Sequence, residues 1–207
     1  METALAQLAN AGFDLAHTFD AAAVAHEPGL AILGGPEGGT EGNTERLGIV
    51  IGNTRALWPP FTHALRDPVL AREAHPLERY TELAIDAAFP GARIYYGHRL
   101  YGATYLPLQH LAVVTGLGAL APSRLVIHPV HGPWFAMRAV VIIDGVPPTR
   151  VPIAQPCRCE AACTAALDAA LANPSSGPAW VAVRDACSLR ASRYSDEQIR
   201  FHYASVW

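Results

Sequence analysis

The order of apolar and polar residues predicts helices that alternate with strands in the first half of the chain. Residues 3–13 carry apolar side chains at helical spacing, and Gly12 gives this helix a stop. The apolar run from Leu47 to Ile51 predicts a buried strand. This strand turns at residues 53–54 into a helix that ends near Leu65.

A longer helix is predicted over residues 75–89, with Pro76 in its first turn. Its apolar, core-facing positions are predicted to be Leu77, Tyr80, Leu83, Ile85 and Ala88. Residues 92–98 then predict a strand, and residues 106–120 predict an apolar helix that ends in glycines. This order of elements is typical of a domain that mixes helices with a sheet.

In the second half, the strands cluster before two further helices. Strands are predicted at Arg124–Ile127 and Trp134–Ile143, and helices at residues 160–172 and from Ser195 onward. Ser195 is the predicted N-cap of the last helix, and Gln198 completes a capping box. Irregular structure is predicted for a Gly-rich loop at 34–45, a Pro-rich connector at 146–156 and a loop at 174–180. The pattern predicts one domain over residues 1–207, either α+β or α/β, with three layers.

The composition narrows the possible classes of protein. Of 207 residues, 51% are apolar and 16% charged, which favours a globular chain, and a net charge of −3 gives no reason to expect nucleic acid as a partner. No run reaches the roughly 18 apolar residues that a membrane helix needs. The N-terminal region lacks a basic segment followed by an apolar block, so we expect a cytoplasmic protein with reduced thiols. All fifteen fixed cations are arginines.

The segment from residue 124 to residue 145 is the most unusual stretch of the chain, because polar groups lie between two apolar runs. Pro129 favours extended backbone at His128, and Gly132 with Pro133 forces a second turn. These residues predict a rigid loop that holds His128 and His131 near a strand end. A satisfied histidine that bonds a backbone carbonyl is one interpretation, and a metal site is another, although no third ligand follows at a recognised spacing.

Trp134 and Arg138 are predicted to share one face of the strand after this loop, because side chains alternate along a strand. A buried guanidinium without a partner is very unfavourable. Arg138 therefore needs a carboxylate, a ligand or water at the sheet edge.

Three of the four cysteines, Cys157, Cys159 and Cys163, lie close together in the sequence. An iron–sulfur cluster needs four thiolates, and Cys187 is 24 residues further on, so the spacing favours structural or redox-reactive thiols over a cluster or zinc.

Three blocks of the chain resemble the CblC family of cobalamin-processing proteins. They are "IHPVHGPWFAMRAVVI", "RLGIVIGNTRALWPPFTHAL" and the closing "RYSDEQIRFHY", and the resemblance extends over nearly the whole chain. It implies an α+β fold like that of the flavin nitroreductases, with a mainly antiparallel central sheet adapted to bind cobalamin. Related loops occur in the corrinoid domain of epoxyqueuosine reductases.

The resemblance also implies a ligand and the residues that contact it. The family binds cobalamin with its benzimidazole base displaced from cobalt. The positions that the resemblance assigns to the corrin are Ala121, Arg124, His128, Pro129, Gly132, Trp134, Phe135, Ala136, Met137 and Cys157. His128 is then a polar wall of the pocket and need not bind the metal, so no protein metal ligand is assigned.

The implied activity is removal of the upper axial ligand of cobalamin. Reduced flavin (FMN or FAD) would supply electrons for decyanation, and glutathione or another thiol would accept alkyl groups. Arg184 and Arg193 are the predicted catalytic residues, because guanidinium groups hold carboxylates in a bidentate manner. The family has an arginine early in the helix after the connector, where this chain reads "EAACTAAL", so the identity of the thiol stays open.

Other interpretations remain open. Arg184 and Arg193 could be solvated arginines paired with Asp185 or Asp196. The chain could be a non-catalytic cobalamin chaperone, which needs no thiol pocket, or a corrinoid reductase related to epoxyqueuosine reductase. A flavin nitroreductase is disfavoured, since the first arginine of the chain is Arg46. The expected partners are a flavin reductase or a B12-dependent acceptor enzyme, without nucleic acid or membrane, for a monomer or homodimer.

Overall fold

A computed structural model describes residues 1–34, 46–149, 157 and 162–203. Its strands are β1 (Leu15–Asp20), β2 (Arg46–Asn53), β3 (Arg93–Tyr96), β4 (Leu100–Tyr101), β5 (Thr104–Tyr105), β6 (Ala119–Leu120), β7 (Val126–Ile127) and β8 (Ala136–Asp144). Its α-helices are α1 (Glu2–Asn10), α2 (Ala21–Val24), α3 (Trp58–Ala64), α4 (Pro68–Ala71), α5 (Pro76–Ala88), α6 (Leu108–Thr115), α7 (Ala162–Ala172), α8 (Gly177–Asp185) and α9 (Asp196–His202). Short 3₁₀ turns occupy Ala31–Gly34 and Arg55–Leu57.

The central sheet has four strands in the order β1-β2-β8-β3, and every neighbouring pair is antiparallel. Strands β2 and β8 lie in the middle because apolar side chains alternate to both of their faces. Val50, for example, belongs to one core, and its neighbours Ile49 and Ile51 belong to the other. Two short hairpins, β4 with β5 and β6 with β7, lie outside this sheet.

Helices cover both faces of the sheet and give it three layers. On one face, Val140 and Ile142 pack against residues of α2 and α6. On the other, Ala139 and Val141 pack against residues of α1, α3 and α5. The predicted α+β architecture with an antiparallel central sheet is therefore confirmed.

A β-bulge at Arg138 interrupts the alternation of β8. The register pairs Ile51 with Ala139 but Gly52 with Met137, which leaves Arg138 as the extra residue. Met137 consequently packs in the same core as Val140, although regular alternation would place the two on opposite faces. The bulge turns Arg138 towards the opposite face, where it meets Asn53.

Two predicted strands are shorter in the structure. The first begins at Val126 instead of Arg124, because Arg124 adopts a left-handed backbone conformation with φ 59°, which no strand contains. The second begins at Ala136, because the Trp134 N–H closes a turn on the His131 carbonyl (3.2 Å). Trp134 and Arg138 nevertheless lie towards the same side, as predicted, because both lie near Tyr194.

Three other expectations differ from the structure. Strand β1 was not predicted, because its partly buried histidine and threonine obscure the apolar period. The predicted loop at 174–180 contains the start of α8, with Ser176 accepting from the Ala179 N–H (3.3 Å) and a proline in the first turn. Leu83 is 49% exposed, and Thr81 takes its place on the buried side of α5.

The last helix begins as predicted. The Ser195 hydroxyl accepts from the Gln198 N–H (3.2 Å), but the Gln198 side chain has no hydrogen-bond partner, so the reciprocal half of the capping box is not formed. Residues 35–45 and 150–156 of the two predicted irregular segments lie outside the described residues. Among the helices that are described, none has the length and apolarity to cross a membrane.

Candidate functional site

The loop between β7 and β8 is a tight turn built on His128. His128 and Gly132 form an isolated antiparallel bridge, with both N–H to carbonyl distances at 2.9 Å. The ring of His128 stacks on that of His131, with centroids 4.6 Å apart, and meets Phe135 edge-on at 5.7 Å. The predicted rigid loop is therefore present, and it holds both histidines together.

The protonation of His128 is set by its own loop. Its Nδ1 accepts from the Val130 N–H (3.1 Å) and the His131 N–H (3.2 Å). Burial, and then the proximity of His131 and His17, lower the pKa of His128 to about 4. The ring is neutral near pH 7, and its proton is on Nε2 because Nδ1 is an acceptor.

This arrangement decides between the two simple interpretations of His128. The ring accepts from backbone N–H groups, so the expectation that it bonds a backbone carbonyl is wrong. Within the described residues, no group of three or more His, Cys, Asp or Glu side chains could hold a metal ion. His128 is thus a neutral imidazole held by its own loop, and its role as a polar wall of a corrin pocket stays a prediction.

The segment from Arg184 to Ser192 holds the loop from outside. The His131 Nδ1 and the Ser192 hydroxyl are 2.8 Å apart, and an Arg184 Nη1 donates to the Pro133 carbonyl. A Cβ atom at Gly132 would lie 1.9 Å from the Leu189 carbonyl oxygen, so only glycine allows this approach.

Trp134 is fully buried beneath the C-terminal segment. Its ring meets that of Tyr194 edge-on at 5.4 Å, and the guanidinium carbons of Arg184 and Arg193 lie 5.8 and 5.5 Å from its centroid. A ring enclosed in this way supports the loop and the C-terminal segment. Its direct contact with a corrin, which the sequence predicted, stays a prediction.

The two predicted thiol-binding arginines differ in their surroundings. Arg193 bonds the Asp185 carboxylate through Nε (2.8 and 3.1 Å) and Asp196 through Nη1 (3.0 Å). Its partners are thus the two carboxylates that the alternative interpretation named. Arg184 has neutral partners, since its Nε donates to the Tyr203 hydroxyl (2.9 Å) and its Nη1 to a carbonyl.

Arg138 has an amide as its partner, not a carboxylate. Its Nε donates to Asn53 Oδ1 (2.7 Å), and Asn53 Nδ2 donates to the Thr54 carbonyl (2.8 Å). Thr54 is tied to Asp14, whose carboxylate accepts from the Thr54 N–H (2.7 Å) and hydroxyl (2.5 Å). Within the described part of the chain, Arg138 forms no ion pair, so of the partners that the sequence allowed, a carboxylate is not the one that it bonds.

The remaining candidate corrin contacts fall into separate groups. Phe135 and Met137 pack in the core on the α2 and α6 side. Ala121 and Cys157 pack with Leu189 in a small apolar cluster, which brings them close to the His128 loop. Arg124 and Pro129 are exposed and Ala136 is half-buried. The structure thus brings Phe135, Ala121 and Cys157 close to the loop, whereas the Trp134 ring packs in a different cluster with Tyr194.

A cleft of about 660 Å³ opens between β1, α2 and α6. Its walls include His17, Glu27, Val114 and the described end of the connector at residues 147–149. His17 contacts the Thr115 carbonyl (3.1 Å), and burial lowers its pKa against that hydrogen bond. The cleft was not predicted from the sequence, because β1, which forms one of its walls, was not predicted. The signal for β1 is a short apolar alternation that contains a histidine.

The three sequence blocks that carried the family resemblance meet at one end of the sheet. Asn53 of the first block bonds Arg138 of the second (2.7 Å), and Trp134 of the second packs on Tyr194 of the third. The first and third are joined by Trp58 Nε1, which donates to Glu197 (3.0 Å). Segments far apart in the chain therefore form one structural unit.

Comparison with solved structures identifies this architecture. The chain superposes on the B12-trafficking protein CblC of C. elegans, a homologue of human MMACHC, with a TM-score of 0.59. The likeness covers 99% of this chain and 92% of that one, at 15% sequence identity. The chain has the CblC fold. No protein-family model and no curated protein matches its sequence.

The likeness extends over nearly the full length of both chains and so concerns the whole architecture. The part of the fold that carries the His128 loop, the end of β2 and α9 is the unit described above. This unit is the candidate site.

Proposed function

We propose that this protein binds cobalamin with the benzimidazole base displaced from cobalt and removes its upper axial ligand. The observation that carries the proposal is the His128 loop, with a neutral imidazole held by its own backbone, in a chain with the CblC fold. A 660 Å³ cleft, whose lining residue His17 acts electrostatically on His128, offers room, and the small apolar cluster of Ala121, Cys157 and Leu189 offers apolar surface beside the loop.

The protonation state of His128 supports binding of cobalamin with its benzimidazole base displaced and with no protein nitrogen taking the place of that base on cobalt. A metal-binding imidazole needs an unprotonated nitrogen, and in His128 Nδ1 is already an acceptor and Nε2 carries the proton. The imidazole therefore acts as a donor towards the corrin periphery. Cobalt that has lost its axial base and gains no protein nitrogen is easier to reduce, which favours loss of the upper ligand.

Two reactions follow from this mode of binding. In decyanation, electrons from reduced FMN or FAD reduce cobalt, and cyanide leaves. In dealkylation, the thiolate of glutathione or another thiol attacks the alkyl carbon, and the carbon–cobalt electron pair stays on cobalt. Arg184, whose described partners are neutral, is the better placed of the two arginines to hold a carboxylate of the thiol.

The proposed setting follows from the same function. The protein would work in the cytoplasm as a monomer or homodimer, receive electrons from a flavin reductase and pass processed cobalamin to a B12-dependent enzyme. Each of these steps depends on binding of cobalamin, which is therefore tested first.

Addition of stoichiometric protein to methylcobalamin is expected to convert its red base-on spectrum to a yellow base-off spectrum. The physical reason is that the loop and cleft bind the macrocycle only with its base released. The measurement is a visible-absorbance titration at micromolar concentrations. An unchanged spectrum in the presence of folded protein would contradict the proposal.

A second candidate function is cobalamin binding without turnover. It is favoured by the ion pairs of Arg193 with Asp185 and Asp196, because a guanidinium that already holds two carboxylates is less available to a thiol. A chaperone needs the loop but no thiol pocket. Arginine substitutions therefore distinguish the two functions, because only the enzyme has a thiol-dependent reaction to lose.

Replacement of Arg184 with glutamine is expected to slow glutathione-dependent loss of methylcobalamin ten- to a hundredfold, by roughly 1.5–3 kcal/mol of lost charge-assisted bonding. Cobalamin affinity is expected to fall less than this rate, because Arg184 also donates to the Pro133 carbonyl of the loop, and decyanation by reduced flavin at saturating cobalamin is expected to stay near wild type. The matched control is Arg190→Gln, at an exposed arginine of the same segment. If the wild type binds base-off but catalyses neither reaction under anaerobic conditions, the chaperone function is correct.

A further inference from the structure

The buried polar atoms that lack a hydrogen-bond partner are concentrated in one place. Over the described ranges of the chain there are five such side-chain atoms, namely Trp134 Nε1, Tyr194 Oη, Gln198 Nε2, Gln198 Oε1 and His202 Nε2. Native proteins leave few buried polar groups unpaired, and each of them requires a physical explanation. Five in one cluster indicate a missing common partner.

The four side chains are neighbours beneath α9. Ring contacts at 5.4 Å join Trp134 to Tyr194 and Tyr194 to His202. Gln198 and His202 are one helical turn apart and so lie on the same face of α9. Trp134 and Gln198 are fully buried, and Tyr194 is 7% exposed. The unpaired atoms therefore belong to one buried group of side chains.

Gln198 has a local alternative that it does not use. A glutamine at this helix position can bond the N–H of the N-cap residue, here Ser195, and so complete the capping box. The Ser195 hydroxyl makes its half of the motif with the Gln198 N–H (3.2 Å), while both polar atoms of the Gln198 side chain stay unpaired. Burial of an unpaired amide is unfavourable. The inward conformation is therefore explained if the amide has a hydrogen-bond partner in the protein interior.

Two arginines act on this cluster. Arg138 and Arg184 both act on Tyr194 and His202 electrostatically, and their described hydrogen-bond partners are the neutral groups of Asn53, Tyr203 and Pro133. Burial first, and these two guanidinium groups second, lower the pKa of His202 to about 3, so its ring is neutral. It therefore adds no positive charge of its own.

Two acidic groups also lie in this surrounding. Glu78 acts on Arg138, and Asp14 acts on Tyr194. The Asp14 carboxylate accepts from the Thr54 N–H and hydroxyl. Arg184, in contrast, has only neutral partners among the described contacts, namely the Tyr203 hydroxyl and the Pro133 carbonyl. Its guanidinium is therefore the positive charge beside the cluster that an added anion could pair with.

We propose that a small monovalent inorganic anion, of the size of chloride, binds in the enclosed space between α9 and the Arg138 end of β8. Trp134 can only donate, and Tyr194 and the Gln198 amide each supply a further donor. Water could satisfy these donors but not the Arg184 guanidinium charge, whereas an anion satisfies both. Full burial of Trp134 and Gln198 limits the guest to a few atoms. The site lies beside Arg184, which is also the proposed thiol-binding arginine, but chloride binding is expected in the absence of cobalamin and thiol.

The first test is thermal unfolding in sodium chloride and in sodium gluconate at equal ionic strength. Gluconate is too large for an enclosed site, so the comparison removes general salt effects. A ligand that binds only the folded state raises the midpoint, and we expect about 3–5 °C at a chloride concentration ten times its Kd. Equal midpoints in the two salts would mean that only water occupies the space and would overturn the proposal.

Variants test whether the chloride-dependent shift of the unfolding midpoint arises from the side chains under α9. Gln198→Met and Tyr194→Phe keep the side-chain volume and remove polar atoms, so each is expected to lose most of the chloride-dependent shift. Arg200→Gln, on the exposed side of α9, is expected to retain it. If Gln198→Met instead raises the midpoint equally in both salts, the amide is simply unsatisfied and there is no guest.

Direct observation uses bromide. Crystals soaked in sodium bromide are expected to give an anomalous difference peak between Trp134, Tyr194 and Gln198. Bromide peaks confined to the protein surface would overturn the proposal, even if the thermal shift were present.

Discussion

Replacement of Trp134 with alanine is expected to lower the free energy of unfolding by roughly 3–5 kcal/mol. The side chain is fully buried, meets Tyr194 edge-on and lies between two guanidinium groups, so its removal leaves a cavity beneath the C-terminal segment. Urea unfolding monitored by circular dichroism measures the change. Trp180→Ala is the matched control, at a half-buried tryptophan whose Nε1 donates to the Pro174 carbonyl (2.8 Å), and it is expected to cost less.

The same variant separates support of the fold from contact with the ligand. We expect Trp134→Ala to weaken cobalamin binding more than Arg138→Lys, because the indole holds together the segments that surround the loop. If Trp134→Ala loses cobalamin affinity while the free energy of unfolding is unchanged, the ring contacts the macrocycle directly, and its burial here is relieved on binding.

Replacement of Gly132 with alanine is expected to destabilise the protein by about 2–4 kcal/mol and to weaken methylcobalamin binding at least tenfold. The new Cβ would lie 1.9 Å from the Leu189 carbonyl oxygen and 2.9 Å from the carbonyl carbon, so backbone has to move. The movement would displace the turn that holds the Nδ1 atom of His128. Urea unfolding and the visible titration measure the two effects.

Gly102 offers a matched control for this substitution. It has a similar left-handed conformation, with φ 67° against 59° for Gly132, but nothing lies within 4 Å of a Cβ at that position. Gly102→Ala should therefore cost only roughly 1 kcal/mol of backbone strain and leave cobalamin binding intact. Equal effects of the two variants would mean that conformation, and not the contact with Leu189, governs the loop.

The chain's local patterns determined the elements that depend on nearby residues. A continuous apolar run specified β2, the helical period specified α5, and the Ser195 hydroxyl set the start of α9. The turn at His128 also follows from its own prolines and glycine. These features need no distant partner, because they rest on backbone preferences and on burial. The same patterns predicted a domain that mixes helices and strands, and the family resemblance added the α+β class, which the structure confirms.

Other features depend on residues far apart in the chain, and only the tertiary structure decided them. A bulge against β2 turns Arg138 to the side of Asn53, although strict alternation would place it with Val140. Arg193 forms ion pairs with Asp185 and Asp196. The Gln198 side chain is buried and unpaired, and does not bond the N-cap residue of its helix. The register of β8 against β2 sets the orientation of Arg138. Competition among partners that only folding brings together sets the other two outcomes. The spacing of apolar residues along the chain does not encode either effect.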